Sequence, residues 1–201
     1  MTPGAVPARM VPMSDARVTI HRVASLDGCI ARRDGGVDWL ETPDRFEGGV
    51  SITPELMKAV LDSIDCYVMG SHTYELALQF EAKGMCWVYG TTPTVVLTSR
   101  ALTSTRDTVT FFDGDVADLL ARLRGQHRGI WVVGGGAVCG DVLRRGLADE
   151  VRYSIVPIAI GDGVPFFAGL DRDVALHLVE STAYRNGMVA LRYEVKATAG
   201  A

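Results

Sequence analysis

Three consecutive glycines, Gly134, Gly135 and Gly136, interrupt the chain between an apolar run and a helical pattern. The run before them, residues 130–133, is rich in the β-branched and aromatic types that favour a buried strand. A strand that turns at glycines into a helix presents unpaired N–H groups and the positive end of the helix dipole, which suit a phosphate. A tight strand-to-helix turn also requires glycine without any ligand, so the triplet alone leaves both interpretations open.

The glycine spacing differs from the fingerprint of the Rossmann dinucleotide-binding fold. Gly134 and Gly136 supply the first two glycines of G-x-G-x-x-G, but Cys139 stands where the third belongs. That fingerprint normally opens the first βαβ unit, whereas this triplet comes late in the chain. The triplet therefore argues against a Rossmann fold while leaving a nucleotide ligand open.

Two other predicted strands end in a comparable way. The apolar run at residues 66–69 ends at Gly70, and a helical pattern begins at Ser71, so the strand–glycine–helix arrangement occurs twice. A third strand pattern, at residues 94–97, is followed by two hydroxyl side chains and Arg100. If these strands are parallel neighbours, the three groups lie at the same edge of the sheet.

Composition excludes several classes of function. The 201-residue chain is 48% hydrophobic and has a formal net charge of −4, which argues against a broad basic surface for nucleic acid. No apolar run approaches the roughly 18 residues of a membrane span. The cysteines, Cys29, Cys66, Cys86 and Cys139, show no metal-ligand spacing. We therefore predict no metal site and no nucleic-acid or membrane partner, with reduced thiols in a cytoplasmic protein.

The sequence predicts one domain between two short tails. Residues 1–13 contain three prolines and no continuous apolar stretch, which predicts a flexible tail over 1–15 and argues against a signal peptide. Residues 16–197 contain no linker that would divide them, and residues 198–201 form a second tail.

The elements that position these groups alternate between strands and helices. Asn186-Gly187 between two strand patterns predicts a type I′ hairpin. Helices begin with Thr53 as N-cap and Pro54 at the first position, and again near residue 115. The first is expected to face the core with Leu56, Val60, Leu61 and Ile64, and the second with Val116, Leu119, Leu120 and Leu123. The fold class is therefore α/β, a mixed, mostly parallel sheet flanked by helices, with a C-terminal antiparallel hairpin.

Five short segments, in this order, are similar to one family. They are residues 25–31, 68–74, 97–100 and 132–138, and Val156-Pro157 with Gly161 and residues 165–167. They resemble the dihydrofolate-reductase-like fold, and within it the C-terminal reductase domain of the bacterial bifunctional riboflavin deaminase-reductase. The likeness covers roughly residues 17–196. No zinc-deaminase motif (H-x-E with P-C-x-x-C) is present, so the expectation is a stand-alone member without the deaminase domain.

The resemblance implies NADPH, bound across the carboxyl ends of the strands. It places residues 134–138 at the pyrophosphate, 98–100 at the 2′-phosphate and 70–73 at a helix N-terminus beside the cofactor. Arg100 offers the fork of donors that a phosphate dianion needs. The implied cofactor residues are Val23, Ala24 and Ile30 near the nicotinamide, with Gly70, Ser71, His72, Thr73, Thr98, Ser99, Arg100, Gly134, Gly135, Gly136, Ala137 and Val138.

Four residues are candidates for catalysis or substrate binding. Asp27 could bind the substrate or relay a proton, and Glu55 could supply or organise the proton that hydride addition to a C=N bond requires. Asp27 could instead be a turn residue, and Glu55 could instead stabilise the helix dipole. Asp38 and Trp39 could line the substrate cleft, with Trp39 as a stacking surface or simply a core aromatic.

The resemblance implies an NADPH-dependent reductase acting on a small planar heterocycle, imine or carbonyl compound. Reduction of a ribosylamino-pyrimidine, as in riboflavin biosynthesis, is the first expectation. Riboflavin reductases usually carry Glu at the position of Gly134, and this departure keeps dihydrofolate reduction open. A non-catalytic NADPH-binding protein is the alternative of another class. A homodimer is expected, as for relatives of this family.

Overall fold

An eight-stranded sheet forms the centre of the protein. A computed structural model describes residues 16–196, and the tails predicted at 1–15 and 198–201 lie outside them. The strands are β1 (Arg17–Ser25), β2 (Cys29–Ala31), β3 (Cys66–Gly70), β4 (Thr94–Leu97), β5 (Val109–Phe112), β6 (Gly129–Gly134), β7 (Glu150–Val156), β8 (Val164–Pro165), β9 (Leu176–Ala183) and β10 (Val189–Val195). The helices are α1 (Pro54–Asp62), α2 (Ser71–Ala82), α3 (Val116–Arg124) and α4 (Gly136–Arg144), with a short 3-10 helix at Asp38–Leu40.

The strands of the sheet are mostly parallel. Their order is β5-β4-β3-β6-β1-β7-β10-β9, and every neighbouring pair from β5 to β7 is parallel. Strand β10 runs antiparallel to both β7 and β9. The predicted mixed, mostly parallel sheet with a C-terminal antiparallel hairpin is confirmed. Because β4, β3, β6 and β1 are parallel neighbours, they end together at Leu97, Gly70, Gly134 and Ser25, a boundary we call the carboxyl edge.

Each face of the sheet has its own core cluster. One cluster joins Val18 and Ile20 of β1 to α3 and α4, and the other includes Met69 and Trp131. The four residues of α3 that the periodicity assigns to the core are all buried, namely Val116, Leu119, Leu120 and Leu123. For α3 the apolar stripe therefore predicts the packed face correctly.

Helix α1 does not pack into the core as its apolar stripe predicts. It begins as predicted, with the Thr53 side chain accepting a hydrogen bond from the Leu56 N–H at 3.2 Å. None of its residues is buried, however, and Leu61 is 52% exposed. Ile64, which follows the helix, is buried as expected. The apolar stripe fails to pack because part of it faces a cavity between α1 and the sheet.

The connection between β9 and β10 is not the type I′ turn that the sequence predicts. Gly187 has a φ of +77°, but Asn186 does not share a positive φ, as a type I′ turn requires. The Gly187 N–H donates to the Tyr184 carbonyl at 3.0 Å, and the Tyr184 N–H donates to the Met188 carbonyl at 2.8 Å. The connection is thus a three-residue loop ending in a left-handed glycine. It packs against Asp44, which leaves no room for a Cβ at position 187.

Candidate functional site

The carboxyl edge brings together three segments that are far apart in the sequence. A Cβ at Gly70 would lie 3.2 Å from Cγ2 of Val138 and 3.9 Å from the Gly134 carbonyl oxygen. A Cβ at Gly134 or Gly135 would lie 3.6 Å from Oγ1 of Thr73. The end of β3, the start of α2 and the β6–α4 turn therefore form one glycine-lined surface.

Two helices begin at this surface without a side-chain cap. In the described chain, α2 starts after Gly70 and α4 after Gly135, and neither has an acidic residue in its first turn. Helix α1 is capped by Thr53, and α3 by Asp115, and each has an acidic residue in its first turn. The free N–H groups and positive dipole ends of α2 and α4 therefore point to the same edge, as a diphosphate requires.

The backbone conformation at position 134 explains why this position carries no side chain. Gly134 has a φ of +127°, a backbone conformation that L side chains rarely adopt. The Arg22 guanidinium donates a hydrogen bond to the Val133 carbonyl and lies where a Cβ at position 134 would stand. A side chain at position 134 would require the Arg22 guanidinium to move.

Arg100 is held in place by helix α2. Its Nη1 and Nη2 donate to the Glu75 carboxylate at 3.0 and 2.6 Å, and its backbone N–H donates to Thr98 Oγ1 at 3.0 Å. The hydrogen bonds with Glu75 raise the pKa of Arg100 and lower that of Glu75. The guanidinium is thus oriented beside the carboxyl edge, but Glu75 offsets part of its charge.

The residues expected near the nicotinamide do not all face one space. The Val23 side chain lines a cavity below α1. Ala24 and Ile30 are buried in the core cluster that includes α3 and α4. Of these three, Val23 therefore offers a side chain to a ligand.

The candidate carboxylates are each engaged by separate partners. Asp27 accepts hydrogen bonds from Ser25 Oγ at 2.5 Å and from the Gly161 N–H at 2.7 Å, and so ties the β1–β2 turn to the loop after β7. Asp38 pairs with Arg32, at 2.8 and 3.0 Å. Within residues 16–196, no hydrogen bond or ion pair connects Asp27, Asp38 and Glu55 to one another.

These partners hold the carboxyl groups in their ionised form. The hydrogen bond from Ser25 is the main cause of the lowered pKa of Asp27, and that from Arg32 lowers the pKa of Asp38. For Glu55, hydrogen bonds with its own backbone N–H and with Thr53 lower the pKa. A proton donor at neutral pH needs a raised pKa instead.

Trp39 is buried, with only 3% of its surface exposed, and its Nε1 has no hydrogen-bond partner among the described residues.

A cavity of about 470 Å³ lies between α1 and the sheet, and we call it the α1 groove. Its helix side is apolar, because Leu56, Met57 and Val60 face it. Its sheet side includes the aromatic ring of Trp131 and the guanidinium of Arg152. The volume is in the range of small-molecule sites, and Val23 links the groove to the position expected for the nicotinamide.

His21 forms an uncharged part of the sheet side. Its ring centroid lies 4.6 Å from that of Trp131, with 58° between the planes. Burial, reinforced by the positive charges of Arg152 and Arg22, lowers the pKa of His21 to about 4, and Glu150 opposes this only in part. The imidazole is therefore neutral at pH 7.

His21 makes the stability of the protein depend on pH. In the unfolded chain an imidazole of pKa near 6.5 takes up a proton as the pH falls, whereas folded His21 stays neutral down to about pH 4. We expect the free energy of unfolding to fall by about 2–3 kcal/mol between pH 6.5 and 4 from this group, and to be unaffected by it above pH 6.5. Urea denaturation across that range measures the effect. His21→Gln should remove this part of the slope, and an unchanged slope would contradict the assignment.

Sequence reasoning missed the sheet side of the groove. In β7, Arg152 and Ser154 face the groove while Val151 is in the core on the other side. A polar residue at every second position of a central strand was the available signal. His21 and Val23 show the same spacing in β1.

Two of the thiols are buried and protonated at neutral pH. Cys66 and Cys139 are buried, and burial raises the pKa of each to about 12, whereas Cys86 is exposed. Among residues 16–196, no group of three or more His, Cys, Asp or Glu side chains could hold a metal ion. None of the helices in that part of the chain is long and apolar enough to span a bilayer.

Comparison with known proteins places this geometry in a family. A family model described as the RibD C-terminal domain matches residues 16–190. The chain is 29% identical over 167 residues to the uncharacterized protein YwjB of Bacillus subtilis (strain 168), covering 82% of this chain and 90% of that one. A solved structure from Shewanella sp. PV-4, titled "Putative riboflavin biosynthesis protein", has a TM-score of 0.76 at 25% identity and covers 90% and 99% of the two chains.

The fold is also that of dihydrofolate reductases. The enzyme of Enterococcus faecalis, solved with NADP(H) and RAB-propyl, has a TM-score of 0.57 at 17% identity, covering 91% of this chain and 98% of that one. This likeness shows the fold alone, and it confirms the predicted dihydrofolate-reductase-like architecture. Since the family model spans most of the sequence, the chain belongs to the RibD C-terminal domain family, a family of NAD(P)H-dependent reductases.

Proposed function

We propose that this protein is an NADPH-dependent reductase that holds the cofactor at the carboxyl edge and its substrate in the α1 groove. The observation that carries the proposal is the pair of uncapped helices, α2 and α4, whose N-termini share one glycine-lined surface. The other two described helices are capped and have acidic first turns, so the free ends are specific to this edge.

The residues present fit the parts of NADPH. The N–H groups of residues 71–73 and 136–138 would hold the diphosphate, and the missing side chain at Gly135 leaves room for it. Arg100 and Thr98 would hold the 2′-phosphate. Bound NADPH would supply a hydride to the substrate.

The proposed substrate is a small planar heterocycle, imine or carbonyl compound. Orientation against Val23 and exclusion of water by the apolar side of α1 would be the main contributions of the chain. Because Asp27 and Glu55 are held ionised and neither lines the groove, we propose that water delivers the proton. Reduction of a ribosylamino-pyrimidine is the first activity to assay, and reduction of dihydrofolate the second.

Replacing Arg100 with alanine tests the cofactor assignment. We expect the dissociation constant for NADPH to rise at least about tenfold, because a charge-assisted hydrogen bond contributes about 1.5–3 kcal/mol. The constant for NADH should not change, since NADH has no 2′-phosphate. Isothermal titration calorimetry measures both.

Arg145→Ala is the matched control for this test. Arg145 also pairs with a carboxylate, Asp115 at 2.8 Å, but it lies at the C-terminal end of α4. NADPH affinity should be unchanged in this variant. If wild-type protein binds NADPH no better than NADH, or if both weaken equally in Arg100→Ala, the assignment of NADPH is wrong.

A further inference from the structure

The geometry points to a substrate class: we propose that the α1 groove binds a planar ring carrying a carboxylate, with Arg152 as the anchor of that carboxylate. The inference rests on the proposed function in taking the groove as the substrate site. It adds the charge of the substrate and the residue that selects it.

Arg152 is oriented from behind by a buried carboxylate. Its Nε donates to Oε1 of Glu150 at 2.5 Å, and the Glu150 side chain has no exposed surface. The terminal nitrogens of Arg152 make no hydrogen bond to any residue within the described part of the chain, and the side chain lines the groove. A guanidinium fixed through Nε presents two parallel N–H donors, the geometry that a carboxylate accepts.

The charge around Arg152 favours an added negative charge. Glu150 also accepts hydrogen bonds from Arg17 at 2.8 Å and Arg192 at 3.3 Å, and Arg192 donates to Glu180 at 3.1 Å. Three guanidinium groups and two carboxylates leave one net positive charge. His21, which lies beside Arg152 in the groove, is neutral at pH 7. The positive charge of Arg22 also acts on His21, so the sheet side of the groove is net positive and favours an anion.

The other surfaces of the groove suit a ring. The guanidinium carbon of Arg152 lies over the Trp131 ring, 5.6 Å from its centroid, so the buried indole helps to orient Arg152. Leu56 and Met57 line the groove from α1, and apolar and thioether side chains pack well on aromatic faces. Ser154 adds a neutral hydroxyl for a further polar atom.

Matched pairs of ring acids and amides test the inference on the full-length protein. Benzoate against benzamide and 2-naphthoate against 2-naphthamide differ only in the anionic group. By calorimetry at low salt and pH 7, we expect each acid to bind wild-type protein at least about tenfold more tightly than its amide. In Arg152→Met the preference should fall below about twofold, because the bidentate donor is gone.

Arg17→Met is the matched control. Arg17 also donates to Glu150 but does not line the groove, so this variant loses a partner of Glu150 and should keep the preference for acids. Arg152→Lys keeps a positive charge beside Glu150, so it can be used if Arg152→Met does not fold. Its preference should drop to a third of the wild-type value or less, since an ammonium cannot form the two parallel hydrogen bonds.

Equal binding of acid and amide by the wild-type protein would overturn the inference, as would a full preference in Arg152→Met or Arg152→Lys. NADPH titration of the same samples separates this outcome from failure of the proposed function. NADPH binding without a preference for acids refutes the anionic substrate alone. A preference for acids without NADPH binding refutes the reductase and leaves the Arg152 site as a binding site.

Discussion

Replacing Glu150 with alanine is expected to lower the free energy of unfolding by about 3–5 kcal/mol, the usual cost of removing one member of a buried ionic cluster. Glu150 has no exposed side-chain surface and holds Arg17, Arg152 and Arg192. Burial opposes its ionisation, but the hydrogen bond and charge of Arg152, with help from Arg192 and Arg17, keep its pKa below the usual value. Without it, three guanidinium groups lose their common partner.

Glu180→Ala is the control within the same cluster. The Glu180 carboxylate pairs with Arg192 but is 58% exposed, and exposed pairs contribute about 0–1 kcal/mol. Chemical denaturation at pH 7 measures both variants. If the two variants lose equal amounts of unfolding free energy, the burial of Glu150 does not add to its contribution. The contribution of Glu150 should also disappear as the pH falls below about 4, because its ionised form is the stabilising one.

Replacing Ala137 with aspartate is expected to separate cofactor binding from stability. Ala137 is exposed in the first turn of α4, where no acidic residue is present. A carboxylate there should stabilise the helix by about 0.3–1 kcal/mol through the dipole. It should also repel a diphosphate held at the same N-terminus and weaken NADPH about a hundredfold, or by 2–3 kcal/mol.

Ala137→Asn provides the comparison of equal size without the charge. We expect its loss of NADPH affinity to be within about fivefold, because the amide repels no anion. Thermal denaturation and calorimetry on the two variants give both quantities. NADPH affinity unchanged in Ala137→Asp would place the diphosphate away from α4 and remove the main support for the proposed function.

The local sequence pattern predicts the structure correctly where a single helix or strand determines which of its faces is buried. The stripe of α3 faces the core as its spacing requires, and the strand–glycine–helix junctions at Gly70 and Gly134 lie at one edge because parallel neighbours end together. The resemblance to a family then supplied the NADPH assignment. None of these steps needed a distance between remote side chains.

The α1 groove could not be predicted in this way. The stripe of α1 has the same kind of spacing as that of α3, yet it borders a cavity, because the distance between helix and sheet depends on the whole fold. Arg152 becomes a candidate only when β7 is known to have β1 on one side and β10 on the other. The predicted carboxylates illustrate the converse, since the partners of Asp27 and Asp38 are loop contacts and an ion pair that spacing does not reveal.

The contact between Arg22 and Gly134 has a consequence for the evolution of this family. The guanidinium and any side chain at position 134 compete for one volume, although the two residues are far apart in the chain. A side chain at position 134 needs the Arg22 guanidinium to move or a smaller residue at position 22, whereas position 22 can be altered while Gly134 is kept. We therefore expect residues 22 and 134 to covary among related chains, with a smaller or differently placed side chain at position 22 wherever position 134 carries a side chain.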